Sequence, residues 1–103
     1  RAGLIGITNT SYGINALNPA STGINNTANG YQSLFSNTTG GANSSNGRDA
    51  LFSNTTGSSN TANGYQSLYA NTFGTNNTAN GSVSLRFNTT GDFKFQIPLP
   101  PEN

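Results

Sequence analysis

Carboxylates, imidazoles and thiols carry most side-chain chemistry, and this sequence nearly lacks them. Its 103 residues include no His and no Cys, with three Asp or Glu against four Lys or Arg. General-base and nucleophilic catalysis draw mostly on the missing groups. Asp49 and Asp92 fall at different phases of the repeat described below, so no carboxylate pair recurs. A calcium-binding β-roll needs an Asp in every repeat, and that Asp is missing. Arg48-Asp49 reads as a solvated surface pair. No catalytic residue, cofactor or metal is expected. What remains is the hydrogen-bonding chemistry of Asn, Ser, Thr and the backbone. A carboxamide donates and accepts at once, so identical amides at a fixed spacing can bond one another.

The elements that would position those amides are written in the period. Gly13, Gly30, Gly47, Gly64 and Gly81 are seventeen residues apart. Leu17, Leu34, Leu51, Leu68 and Leu85 keep the same spacing, as do Asn9, Asn26, Asn43, Asn60 and Asn77. Gly6, Gly23, Gly40, Gly57, Gly74 and Gly91 add a further series. Five units therefore span 9–93, after a lead-in 1–8 and before a tail 94–103. Numbering the positions of a unit from its first Asn gives seventeen columns. Column 1 is Asn, columns 3 and 8 are small, columns 5 and 15 are Gly, and column 9 is Leu. Column 10 is mostly aromatic and column 6 is loose. The strict columns are expected to be buried or turn-forming, the loose ones exposed.

A fixed short period marks a stacked, one-dimensional architecture. Gly, Asn, Thr and Ser are poor helix formers. The expected fold is all-β: a parallel β-solenoid of about five 17-residue coils. Each coil would hold two or three short strands, broken at Asn-Gly in columns 4–5 and at Thr-Thr-Gly in columns 13–15. Asn in columns 1, 12 and 17 would bond to the next coil, and the paired Thr columns would form hydroxyl ribs. The register held by Leu and Gly argues against a disordered polar linker. The formal net charge of +1 gives no footprint for nucleic acid. No apolar run approaches a membrane span, and no secretory leader pattern is visible.

The unit N-T-A-x-G-Y-x-S-L-x-x-N-T-T-G, clearest in 26–40 and 60–74, resembles the head repeats of trimeric autotransporter adhesins. It is still more similar to related repeats of bacterial and phage tail-fibre-like proteins. The resemblance covers roughly Asn9 to Gly91. It implies a left-handed β-roll, three chains around one axis, an extracellular location and a role in surface attachment. In that family the residue before the first Gly is usually Val or Ile and faces the trimer axis. Here column 4 holds Tyr12, Asn29, Asn46, Asn63 and Asn80. Stacked amides there would have to bond one another if buried.

The tail alternates polar and apolar residues over Asp92–Ile97, a strand pattern ended by Pro98, Pro100 and Pro101. Phe93, Phe95 and Ile97 would either cap the last coil or pair with another subunit, near the apolar Leu4-Ile5-Gly6-Ile7. Tyr31, Tyr65 and Tyr69 with Phe35 and Phe52 could line one face, for packing between chains or for stacking on sugars. Asn-x-Ser/Thr sequons at Asn9, Asn25, Asn37, Asn43, Asn54, Asn76 and Asn88 follow from composition. A regular Thr-x-Thr face of the ice-binding kind is absent. A lone five-coil rod leaves two open strand edges. Self-association is therefore expected, as a trimer or a head-to-tail filament. The function expected is a non-enzymatic extracellular fibre, stalk or adhesive head on a cell surface or virion. The alternatives are a self-polymerising filament subunit and a glycan- or receptor-binding tail-fibre segment.

Overall fold

The computed structural model describes residues 8–96. Six short strands appear in chain order: β1 Thr10–Tyr12, β2 Thr27–Asn29, β3 Ser44–Asn46, β4 Thr61–Asn63, β5 Thr78–Asn80 and β6 Phe95–Gln96. They form one parallel sheet in the order β1-β2-β3-β4-β5-β6. Each residue pairs with the one seventeen later, as in Thr27↔Ser44 and Thr61↔Thr78. The chain is a β-solenoid, and like columns stack.

Each coil carries one assigned strand, not two or three. The strand sits in columns 2–4, where Thr or Ser flanks a small inward residue. The rest of the coil bends too sharply for strand geometry, yet its backbone still bonds from coil to coil. Leu34 N–H donates to the Ala50 carbonyl at 3.0 Å, and Gln32 N–H to the Ile14 carbonyl at 2.9 Å. The bends come from left-handed backbone. Column 5 Gly takes φ of 118° to 127°, a region L residues rarely enter. Columns 7, 9 and 17 also have positive φ, and the five Leu residues lie between 49° and 59°.

The core is small and largely polar. Leu34, Leu51 and Leu68 are fully buried, with Ala28, Ala50, Ala62 and Ala79 beside them. Asn26, Asn43, Asn60 and Asn77 of column 1 are buried with them, as are Asn37, Asn54 and Asn71 of column 12. The strict columns are therefore interior or, like the column 5 Gly, turn-forming, as the repeat implied.

The register runs past the expected ends of the repeat. Lys94, Phe95 and Gln96 continue columns 1–3 as the start of a sixth coil: β6 pairs with β5 through Thr78↔Phe95 and Ala79↔Gln96. The expected strand from Asp92 is thus shorter. Phe93 is no strand residue; it takes the left-handed turn of column 17, at φ 58°. Ile97, Pro98, Pro100 and Pro101 lie outside the described residues, as do Leu4, Ile5, Gly6 and Ile7. At the other end Thr8 stacks in column 17, and its Oγ1 accepts the Asn25 N–H at 2.9 Å.

Candidate functional site: the amide lattice and the ends of the stack

The column 1 amides link successive coils twice. Asn43 Nδ2 donates to the Gly57 carbonyl at 2.9 Å, and Asn43 Oδ1 accepts the Asn60 N–H at 3.0 Å. Asn26 and Asn60 repeat the pattern through Gly40 and Gly74. The side-chain oxygen thus supplies the acceptor for a buried backbone N–H in the next coil, which would otherwise be costly to bury. Column 12 forms a second chain of amides. Asn54 Nδ2 donates to Asn37 Oδ1, and Asn71 Nδ2 to Asn54 Oδ1, each at 2.9 Å. The same nitrogens also reach the column 15 carbonyls, Gly57 and Gly74. In the first coil Ala20 stands in column 12, and the neighbouring Ser21 Oγ accepts Asn37 Nδ2 instead, at 2.8 Å.

These amides explain the column 15 glycines, whose backbone is not left-handed. A Cβ on Gly57 would overlap both the Gly74 carbonyl oxygen and Asn54 Oδ1. Only a residue without a side chain lets the two Asn columns meet that carbonyl.

Column 4 carries a third amide ladder, on the outer face. Asn29, Asn46 and Asn63 each donate Nδ2 to Oδ1 of the next member, ending on Asn80, every step 2.8 Å. The amides of this column are satisfied by one another. Column 17 is different: it makes a left-handed turn, and Asn25 and Asn76 lie exposed rather than in a ladder. Of the sequons, those at Asn37, Asn43 and Asn54 are buried in the lattice.

Columns 3 and 8 share one hydroxyl per coil. The pairs are Ser11/Ala16, Ala28/Ser33, Ser45/Ala50, Ala62/Ser67 and Ala79/Ser84. Ser45 Oγ donates to the Ala50 carbonyl at 2.8 Å, and Ser67 Oγ to the Gly64 carbonyl at 3.1 Å. The alternation stands in the sequence but is intelligible only once both columns are seen to face one interior.

The Thr-Thr-Gly bend has its own geometry. Thr38, Thr39 and Gly40 N–H all donate to the single carbonyl of Thr55, at 3.0 to 3.2 Å. Thr55, Thr56 and Gly57 are directed likewise at Thr72, the first across a 3.0 Å bond and the others at 3.2 Å. Successive N–H groups converging in this way form a nest for a negative oxygen. The column 13 hydroxyls add to it, Thr38 Oγ1 donating to the Thr55 carbonyl at 3.0 Å.

The aromatic residues form two separate columns. Phe35, Phe52 and Tyr69 stack face to face, with centroids 5.3 and 5.2 Å apart and planes within 8°. Both faces of Phe52 are covered by its neighbours. Tyr31 and Tyr65 stand in column 6, with Arg48 between them and its guanidinium 5.3 Å from the Tyr31 ring. Arg48 Nε is 3.6 Å from Asp49 Oδ2, and Arg48 is exposed while Asp49 is buried. Asp49 Oδ1 has no partner among the described residues. The pair is therefore half surface and half interior, unlike the solvated pair expected.

Among the described residues no helix is long and apolar enough to cross a membrane. No protein-family model matches the chain, and comparisons with curated proteins and with solved structures find no match either.

Proposed function

We propose that this chain is a non-enzymatic structural element of an extracellular fibre, stalk or adhesive head, and that its role is shape and surface attachment. One observation carries the reading. The polar side chains best able to recognise a ligand are spent on the next coil, in three parallel amide ladders. A solenoid bonded in this way is a stiff spacer whose outer columns repeat at the strand spacing of about 4.8 Å. Repeated weak contacts along such a surface add up by multivalency. Stacking on sugars is less well supported, because the rings of Phe35, Phe52 and Tyr69 use their faces on one another.

Attachment of coated beads tests the reading. Beads carrying the chain should adhere to cell and mineral surfaces more strongly than beads carrying an unrelated polar protein. They should also resist detachment under flow. Equal attachment of the two bead types would refute the adhesive role. A turnover assay that found catalysis would refute the structural one.

A further inference from the structure

Four coils carry the same dipeptide where the strand meets the bend: Asn29-Gly30, Asn46-Gly47, Asn63-Gly64 and Asn80-Gly81. Asn followed by Gly is chemically labile. The glycine nitrogen attacks the side-chain Cγ, a succinimide ring closes, and the amide nitrogen leaves as ammonia. Water then opens the ring at either carbonyl, leaving aspartate or isoaspartate. Glycine favours the attack because it has no side chain in the way and its backbone turns freely. The reaction needs only water.

Two separate demands keep this pair in the repeat. Column 5 lies at φ of 118° to 127°. A Cβ on Gly47 would stand 2.6 Å from the Gly64 carbonyl oxygen, and one on Gly64 equally close to that of Gly81. The backbone therefore fixes the glycine. The bend does not fix the asparagine, since the first coil turns the same way with Tyr12 in column 4 and Gly13 at φ 126°. The outer ladder fixes it: Asn46 accepts from Asn29 and donates to Asn63.

The stacked coil restrains both reacting groups. The attacking nitrogen is tied to the coil before. Gly30, Gly47, Gly64 and Gly81 N–H donate to the carbonyls of Tyr12, Asn29, Asn46 and Asn63, at 2.7 to 2.8 Å. That proton must leave before the nitrogen becomes a nucleophile, so the bond holding it must break first. The departing amide is tied to the coil after. Asn29, Asn46 and Asn63 each donate Nδ2 to the next Oδ1 at 2.8 Å. In Asn29-Gly30, Asn46-Gly47 and Asn63-Gly64 the two groups are therefore held in opposite directions along the stack. Ring closure would also swing the side chain out of its ladder, toward its own backbone.

We propose that the four Asn-Gly pairs are latent modification sites, closed while the coils are stacked and converted by water to aspartate and isoaspartate when a coil opens. Isoaspartate adds a methylene to the main chain, so the columns after it lose their register with the neighbouring coil. Aspartate keeps the length but replaces a donor with an acceptor, and two oxygens then meet in the ladder. Conversion in neighbouring coils sets like charges on adjacent strands about 4.8 Å apart, which opposes pairing. Local opening is ordinarily reversible. Here a chemical step follows it and makes it permanent. A coil that stays open long enough is thereby lost from the stack.

Peptide mass spectrometry of the full chain tests this, after incubation in mildly alkaline buffer with and without urea. Amide-to-acid conversion and isoaspartate are followed at each pair. In urea the four pairs should convert at similar rates. Without urea each should convert at least about tenfold more slowly, because only the open fraction reacts. Asn25, Asn37 and Asn76, which no glycine follows, should stay amides over the same interval. Leu51→Ala removes a buried side chain from the third coil and should speed native-buffer conversion of Asn46-Gly47 at least about tenfold. Chains converted in urea and then returned to buffer should regain less native circular dichroism than unconverted chains handled alike. Equal rates with and without urea would overturn the proposal. So would conversion spread evenly over asparagines that no glycine follows, or a Leu51→Ala rate like the wild type. Equal recovery of converted and unconverted chains would also sink it.

Discussion

Asn43 shows why a core this polar can exist. Its amide is buried between two coils and makes the bonds that the backbone cannot make for itself. Asn43→Ala strips the acceptor from the Asn60 N–H and opens a small void. The expected cost is about 3 kcal/mol in chemical denaturation. Asn29→Ala, in the solvated outer ladder, should cost under about 1 kcal/mol, because water replaces the lost bond. If the two substitutions cost the same, burial is not what gives the inner amides their weight. Leu51 makes a different point at the same scale. It is fully buried and lies at φ 51°. Leu to Ile in an ordinary core costs less than about 1.5 kcal/mol. A β-branched side chain at positive φ is a steric outlier, so Leu51→Ile should exceed that value in the same denaturation series.

At the scale of the coil, the telling feature is the division of labour between columns 3 and 8. Every coil holds one Ser and one Ala there, in either order, and the coils after the first bury both. Ala50→Ser alone places a second hydroxyl beside that of Ser45 and should cost about 1–2 kcal/mol. Adding Ser45→Ala returns the third coil to the order of its neighbours, whose column 8 Ser hydroxyls are both bonded, Ser67 to the column 5 carbonyl of Gly64 and Ser33 to the Ser45 carbonyl. The double variant should come back to within about 0.5 kcal/mol of wild type. A double-mutant cycle checks this, and simple additivity would show that the hydroxyls do not interact. Coil geometry also shows the limits of the linear pattern. Asn-Gly and Thr-Thr-Gly were legible as bends because their chemistry is local. The Leu column was legible as buried. Its left-handed backbone was not, since nothing in a Leu residue asks for positive φ. Packing against the coils above and below imposes it.

At the scale of the molecule, stability rests on neutral amides, backbone bonds and a thin apolar seam. Charge is nearly absent, with one ion pair among the described residues. Raising the salt from about 0.01 to about 1 M shortens the screening length severalfold. The melting temperature of the chain should still move by less than about 3 °C, as followed by circular dichroism. A large fall would mean that charge–charge terms, not the lattice, hold the coils together. A stack of near-identical layers has no natural end, and the fold deals with its two ends unequally. Gln96 blocks part of one edge with a side chain, its Oε1 accepting the Leu85 N–H.

The period alone determined the solenoid, its phase and its interior columns. Seventeen-residue recurrence of Asn, Gly and Leu has no simpler physical cause than like residues stacking. Only the tertiary structure decided which Asn columns are lattice and which are turn, how far the register runs past 93, and which aromatic residues meet. Those outcomes depend on distances between coils, and a linear pattern carries no distance. The column 1 amide needs a glycine carbonyl fourteen residues away and a backbone N–H seventeen residues away. Both come within reach only when the chain has closed one full turn.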